Sequence, residues 1–267
     1  MHTLVIGGTH FIGPYVVRGL DDAVVLHRTD CGNPAHIHGD RARVGEFARG
    51  EFDVVIDMVA MNERDASSLV QAMHGRARHL LTVSSCDVYR QYGRLIGTEP
   101  GDPDPVPLTE DAPLREKFFP YGGEYEKILV ERAAMEMPAT ILRLPAVYGP
   151  GDDQHRLSNL DAGHPRWRWT RGYVENVADA IVLAAQKQKS GIYNVGEPDT
   201  PTEAEWIEMC GGALQRAGRR PEGRRYTCDL VVDSTKIRRE LGYQERTPRK
   251  DAIAATMRWE QKSKASP

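Results

Sequence analysis

Residues 3–20 read TLVIGGTHFIGPYVVRGL, and the fold turns on this stretch. A short, unbroken apolar run suits a parallel strand buried on both faces. It meets a turn bracketed by Gly7 and Gly13, and a helical pattern follows. Backbone N–H groups at such a turn, with a helix start behind them, attract a pyrophosphate. Gly7 allows the tight turn, and Gly13 lets the helix pack close to the sheet. Pro14 sits in the first helical turn, where its missing N–H costs nothing. The alternative is an ordinary strand-to-helix turn, but the strand before and the helix after favour a dinucleotide loop. One position departs from the pattern. His10 stands where the middle glycine is expected, so its side chain must point away from the pyrophosphate or lie along it as a donor.

Working outward, further apolar runs at 24–27, 54–59 and 80–84 alternate with helical patterns at 11–20 and 62–74. Asn62 is a candidate N-cap and Gly75 a candidate stop. Strand and helix in alternation imply right-handed crossovers and an α/β fold, a doubly wound parallel Rossmann sheet. Runs at 139–144 and 191–195 extend the sheet, a helix follows Val174, and helices are expected over 202–217, 233–241 and 249–259. This divides the chain into a Rossmann domain, 1–147 with 172–197 returning to it, and a small, reduced C-terminal substrate lobe, 148–171 and 198–267. Residues 90–120 show no clear periodicity and contain EPGDPDPVP. A loop of that length covers a site or is disordered, and its place after a central strand favours a flap.

Composition excludes several function classes. The chain has 267 residues, 40% of them hydrophobic, enough for one large core. A net charge of −3 argues against nucleic acid as the main partner. The four cysteines have neither metal-ligand nor disulfide spacing, which suits a reducing cytoplasm. No apolar run approaches the ~20 residues that span a bilayer, and a first strand starting almost at Met1 leaves no room for a signal peptide. Arg216, Arg219, Arg220, Arg224 and Arg225 read as a solvated helix end and loop. His36 and His38 share a strand face but lack a third ligand, so no metal is expected. Arg166 to Trp169, RWRW, either stacks a nucleobase or forms a half-buried strand.

The end of the second strand speaks to the cofactor. Dinucleotide folds tend to place a carboxylate there for the adenosine ribose. This chain has His27 and Arg28, with no acid before Asp30. An arginine binds a 2′-phosphate as a charge-assisted pair where a carboxylate repels it. NADP is therefore expected over NAD, unless Arg28 is only a surface residue. Asp40 and Arg41 would border the adenine.

Several motifs line up with one family. After GGTHFIG come DVVIDMVA (53–60), SSCDVY (84–89), LRLPAVYGPGD (142–152), TRGYVENVADAI (170–181), IYNVGEP (192–198) and DSTKIRRELGY (233–243). In this order, over nearly the whole chain, they resemble the extended short-chain dehydrogenase/reductases, the group of the NAD-dependent epimerases and dehydratases of nucleotide sugars. The resemblance implies an NAD(P)-dependent epimerase, dehydratase or reductase acting on a nucleotide sugar or related polyol. It implies cofactor contacts from Gly7, Thr9, His10, Phe11, Ile12, Gly13, Met58, Val59 and Ala60, with Pro145 beside the nicotinamide. Ser85 matches the serine that hydrogen-bonds the reacting substrate oxygen. Lys127 matches the lysine that holds the nicotinamide ribose and lowers a tyrosine pKa, and Arg171 the arginine that grips the substrate diphosphate. It further implies a homodimer paired through helices 62–74 and 122–135, whose Leu69, Val70, Ile128, Leu129 and Val130 exceed one core stripe.

Oxidising a sugar hydroxyl needs a base for its proton and an acceptor for its hydride, which the cofactor supplies. A tyrosine serves as base where a nearby ammonium stabilises its anion. The family places that tyrosine four residues before the lysine; here that position is Gly123. Tyr125 lies two before Lys127 and would face largely the other way on a continuous helix. Tyr121 lies six before and would reach in from a helix start unwound at Gly122 and Gly123. Either Tyr121 or Tyr125 takes the role, or the site lacks its usual base and the chain binds a cofactor without turnover, as a regulatory or RNA-binding protein of the same fold.

Overall fold

The computed structural model describes residues 1–28, 36–119, 123–212 and 224–265. Tyr121 and three arginines of the basic cluster, Arg216, Arg219 and Arg220, lie outside the described residues. In chain order the elements begin β1 (Thr3–Ile6), α1 (Gly13–Arg18), β2 (Ala23–His27), β3 (His36–His38), α2 (Val44–Phe47), β4 (Phe52–Asp57), α3 (Glu63–Met73), β5 (Ala77–Ser85) and α4 (Arg90–Leu95). They continue with α5 (Lys127–Ala134), β6 (Ala139–Leu144), β7 (Ala146–Tyr148), β8 (Arg171–Tyr173), α6 (Val174–Lys187), β9 (Gly191–Asn194), α7 (Glu203–Met209), α8 (Thr235–Leu241) and α9 (Arg249–Ala265). The chain divides into two compact units. One comprises Met1–Ser85, Phe118–Arg143 and Ala178–Tyr193; the other comprises Cys86–Lys117, Leu144–Val177 and Asn194–Pro267.

The first unit is built on a sheet of order β3-β2-β1-β4-β5-β6-β9, the Rossmann sheet expected from the sequence. β1 pairs in parallel with β2 on one side and β4 on the other, and β4 pairs in parallel with β5. Leu4, Val5, Ile6, Val54, Val55 and Ile56 are fully buried, as strands covered on both faces require. α3 starts where its cap predicts: the Asn62 side chain accepts from the Asp65 amide at 3.0 Å. It contributes Leu69, Val70 and Met73 to the core beneath the sheet, each worth about 1.5–3 kcal/mol on full burial. α3 also packs on α5 through Ala66, Val130 and Ala133. Leu69, Val70, Ile128 and Val130, read from sequence as surplus apolar surface, are thus buried in the protein's own core.

Helix boundaries moved for local reasons. α1 begins at Gly13 because Phe11 takes a left-handed φ of 46° in the loop before it. α5 begins at Lys127, not near 122. The Glu126 carboxylate caps it by accepting from Ile128 N at 3.1 Å, and Gly123, at φ 83°, cannot continue a helix upstream. α7 has a full capping box between Thr202 and Glu205 and stops at Met209.

In the second unit β7 and β8 form a parallel pair. The segment read as lacking periodicity holds α4, whose six residues are too few to show a period. The rest of it is tied down: the buried Glu99 carboxylate accepts from the Glu116 and Lys117 amides, each at 2.8 Å, and Leu108 bridges Val232. Trp167 is core, packed with Leu95 and Cys228, while Trp169 is half-buried and bridges Leu230; Arg168 and Trp169 make isolated bridges and RWRW forms no regular strand. No helix among the described residues is long and apolar enough to cross a membrane.

Candidate active site

The strand order reverses at β1, where β2 and β4 flank it, and ligands of open α/β sheets bind at such a switch point. The loops after β1 and β4 meet there. A Cβ on Gly7, whose φ is 92°, would come within 2.3 Å of Val59 Cγ1. A Cβ on Gly13 would lie 2.6 Å from the Gly8 carbonyl carbon and 2.7 Å from the Gly7 oxygen, so the helix start is flush with the loop backbone. His10 is exposed, and its Nδ1 lies 2.9 Å from the Thr9 hydroxyl. Thr9, Phe11 and Ile12 are half-buried. A run of backbone amides beside a close-packed glycine pair fits a dinucleotide pyrophosphate.

The β4 side is organised by Asp57, a residue the sequence reading passed over. It is 1% exposed. Its Oδ1 accepts from the Val59 and Ala60 amides at 3.1 and 3.0 Å, which folds the turn carrying Met58, Val59 and Ala60. Arg41 grips the same carboxylate with two bonds of 3.0 and 2.9 Å and also donates to the Asp65 carbonyl. Arg41, expected at the adenine, is thus engaged as a brace, and Asp40 accepts from the Ala42 amide as a turn cap. Arg28 is exposed at the end of β2, with its carbonyl accepting from His38 Nε2 at 2.6 Å. His36 is bonded instead to His27, at 2.9 Å.

Lys127 is buried at the start of α5. Its ammonium donates to the Ala60 carbonyl at 2.5 Å and the Val83 carbonyl at 3.1 Å, bridging the chain after β4 to the end of β5. Ser85, half-buried, closes β5 two residues beyond Val83. Lys127 Nζ stands over the Tyr125 ring, 5.9 Å from its centroid, and that ring leans on Phe119 at 5.5 Å. One turn on, the buried Glu131 accepts from Ser84 Oγ at 2.5 Å and from Arg143 at 2.9 and 2.7 Å. These partners of Glu131 became visible only once β5 and β6 were assembled.

Pro145 and Arg171 belong to the second unit, where both are buried. The Arg171 guanidinium donates to Glu203 Oε1 at 2.5 Å and lies over the Trp206 ring, 4.9 Å from its centroid. Neither partner was singled out from the sequence. Two other groups in this unit are chemically quiet. Burial, reinforced by Asp87, pushes the Cys86 thiol up to about 12, so it is no thiolate nucleophile. Burial, with the Glu197 carboxylate it donates to at 2.8 Å, also holds Tyr148 protonated far above the usual tyrosine range.

Known proteins are similar to this chain along its length. A dTDP-glucose 4,6-dehydratase from Streptomyces griseus is 26% identical over 322 residues, spanning 99% of this chain and 95% of the relative. That alignment is longer than the chain's 267 residues, so the relative carries segments absent here. Among solved structures, a dTDP-glucose 4,6-dehydratase from Streptomyces venezuelae with NAD bound is 22% identical with a TM-score of 0.74, covering 99% of this chain and 98% of that one. A UDP-glucose-4-epimerase from Stenotrophomonas maltophila with bound NAD is 20% identical with a TM-score of 0.76, and each chain is covered completely. Residues 3–196, which carry the phosphate loop, Asp57, Ser85, Lys127 and Arg171, match one family throughout, and the chain belongs to the NAD dependent epimerase/dehydratase family of enzymes.

Proposed function

We propose that this enzyme transfers hydride between a nicotinamide dinucleotide and a hydroxyl-bearing carbon of a nucleotide sugar or related polyol, as an epimerase, dehydratase or reductase. The observation that carries the reading is the Lys127 ammonium, fixed by two carbonyls beside the end of β5 and two residues from Ser85. A positive charge held there stabilises a tyrosinate and orients a ribose hydroxyl. Ser85 donates to the reacting substrate oxygen, and Tyr121 takes its proton. The phosphate loop from Gly7 to Gly13 and the Met58–Val59–Ala60 turn hold the dinucleotide, which when bound accepts and returns the hydride. Pro145 borders its nicotinamide. The named dehydratase and epimerase relatives support the nucleotide-sugar class. Following cofactor reduction optically, while candidate sugars are added, tests the reaction. Absence of any hydride transfer with sugars or polyols overturns it.

Exposed Arg28 supports NADP over NAD. One charge-assisted contact to a 2′-phosphate is worth roughly 1.5–3 kcal/mol, so NADP is expected to bind about ten- to hundred-fold more tightly. Calorimetric titration of both cofactors measures this. Equal affinities, or a preference unchanged in Arg28→Ala, remove the assignment. A homodimer through α3 and α5 belongs to the same reading and rests on the family resemblance, since most of the apolar residues first enlisted for it are core. Light scattering at micromolar concentration is expected to return twice the chain mass; a monomer counts against it.

A further inference from the structure

The reading above names two substrate classes, and the second unit holds a residue that separates them. Glu203 opens α7 directly after its Thr202 cap, and Trp206 follows three residues on, so both face the same way. The Glu203 carboxylate is fully buried and Arg171 is 3% exposed. One carboxylate oxygen accepts from Arg171 Nη2 at 2.5 Å, and the other accepts from the Asp161 amide at 2.6 Å. The Glu203 amide donates to the Trp167 carbonyl at 2.9 Å, which pins the start of α7. The Trp206 ring carries the Arg171 guanidinium at 4.9 Å and that of Arg249 at 5.4 Å. Arg249 is itself engaged by Glu197 and Asp199, at 2.6 and 2.8 Å.

Both cations around this ring are therefore matched by carboxylates of the chain itself. An incoming diphosphate at Arg171 would meet a charge already neutralised, beside a buried anion. Low local dielectric magnifies that repulsion, and discrimination built on an unfavourable contact is as effective as one built on attraction. We propose that Glu203 is a specificity-determining residue that closes Arg171 to diphosphates, so that the substrate is a polyol or sugar derivative bringing no diphosphate to this site. The inference rests on the hydride-transfer reading for its reaction, but its test is one of binding.

The full chain, saturated with NADP or NAD, is titrated with dTDP and with UDP by calorimetry. The wild type is expected to bind both weakly. Glu203→Gln keeps an oxygen acceptor toward Arg171 but removes the negative charge, and is expected to bind them about ten- to hundred-fold more tightly, the scale of one freed charge-assisted contact. Affinity in Glu203→Gln no greater than in the wild type overturns the proposal. Should that variant not fold, Arg171→Met combined with Glu203→Met replaces the buried pair with apolar side chains, a change that buried pairs tolerate. dTDP and UDP affinity in the double variant equal to or above the wild type supports closure, because Arg171 then contributed nothing and the buried anion is gone. A fall below the wild type shows Arg171 gripping diphosphate and overturns it. Cofactor titration and hydride transfer are measured separately on the same protein. A failure there strikes the reaction assignment and leaves the diphosphate comparison standing.

Discussion

Replacing Tyr121 with phenylalanine is expected to lower kcat by at least about 10²-fold, the usual scale of a lost acid/base, while cofactor affinity barely changes. Lys127 sets the constraint, its ammonium fixed between the Ala60 and Val83 carbonyls. A tyrosine working with that lysine must bring its oxygen, not its ring, toward the charge and the substrate hydroxyl. Tyr125 turns its ring face to Lys127 Nζ and packs on Phe119. The reason for discounting Tyr125 is thus not the helical phase read from sequence, because α5 begins only at Lys127. With α5 starting at Lys127 and Gly123 at φ 83°, the phase of α5 sets no constraint on Tyr121. Tyr125→Phe is accordingly expected to stay active. Single-turnover reduction of bound cofactor in the two variants decides the matter. The opposite ranking transfers the role to Tyr125, and a fully active Tyr121→Phe points to another base.

Glu131→Ala is expected to cost about 3–5 kcal/mol of stability, the scale of breaking a buried ion pair from one side. Glu131 and Arg143 are each 2% exposed, and Ser84 donates to the same carboxylate. Removing Glu131 takes the carboxylate away from two Arg143 donors at a buried position between α5 and β6. Total stabilities of about 5–15 kcal/mol leave little margin for such a loss. Denaturant midpoints measure it, and Glu131→Met with Arg143→Leu should recover most of it, because the buried charges are then both gone. A loss below about 1 kcal/mol in Glu131→Ala would show that the pair does not staple α5 to the sheet. The consequence reaches the site, since Lys127 sits one turn before Glu131 on the same helix face.

From the sequence alone, the sheet and the glycine-bracketed turn after its first strand were legible. Parallel strands buried on both faces must be continuous apolar runs, and glycines at positions 7 and 13 mark the tight turn and the close helix start that the structure has there. The α3 cap at Asn62 was legible because the signal and the amide it caps are three residues apart. β7 and β8, of three residues each, and α4, of six, were not, because so few residues show neither a run nor a period. Nor were the partners of the charged residues. Arg41 with Asp57, Arg143 with Glu131, and Arg171 with Glu203 are separated by 16, 12 and 32 residues. An arginine reads the same whether it awaits a phosphate or already holds a carboxylate. Only the packing that brings α7 onto β8, and α5 between β5 and β6, decides which charges are spent inside the protein and which are left for a ligand.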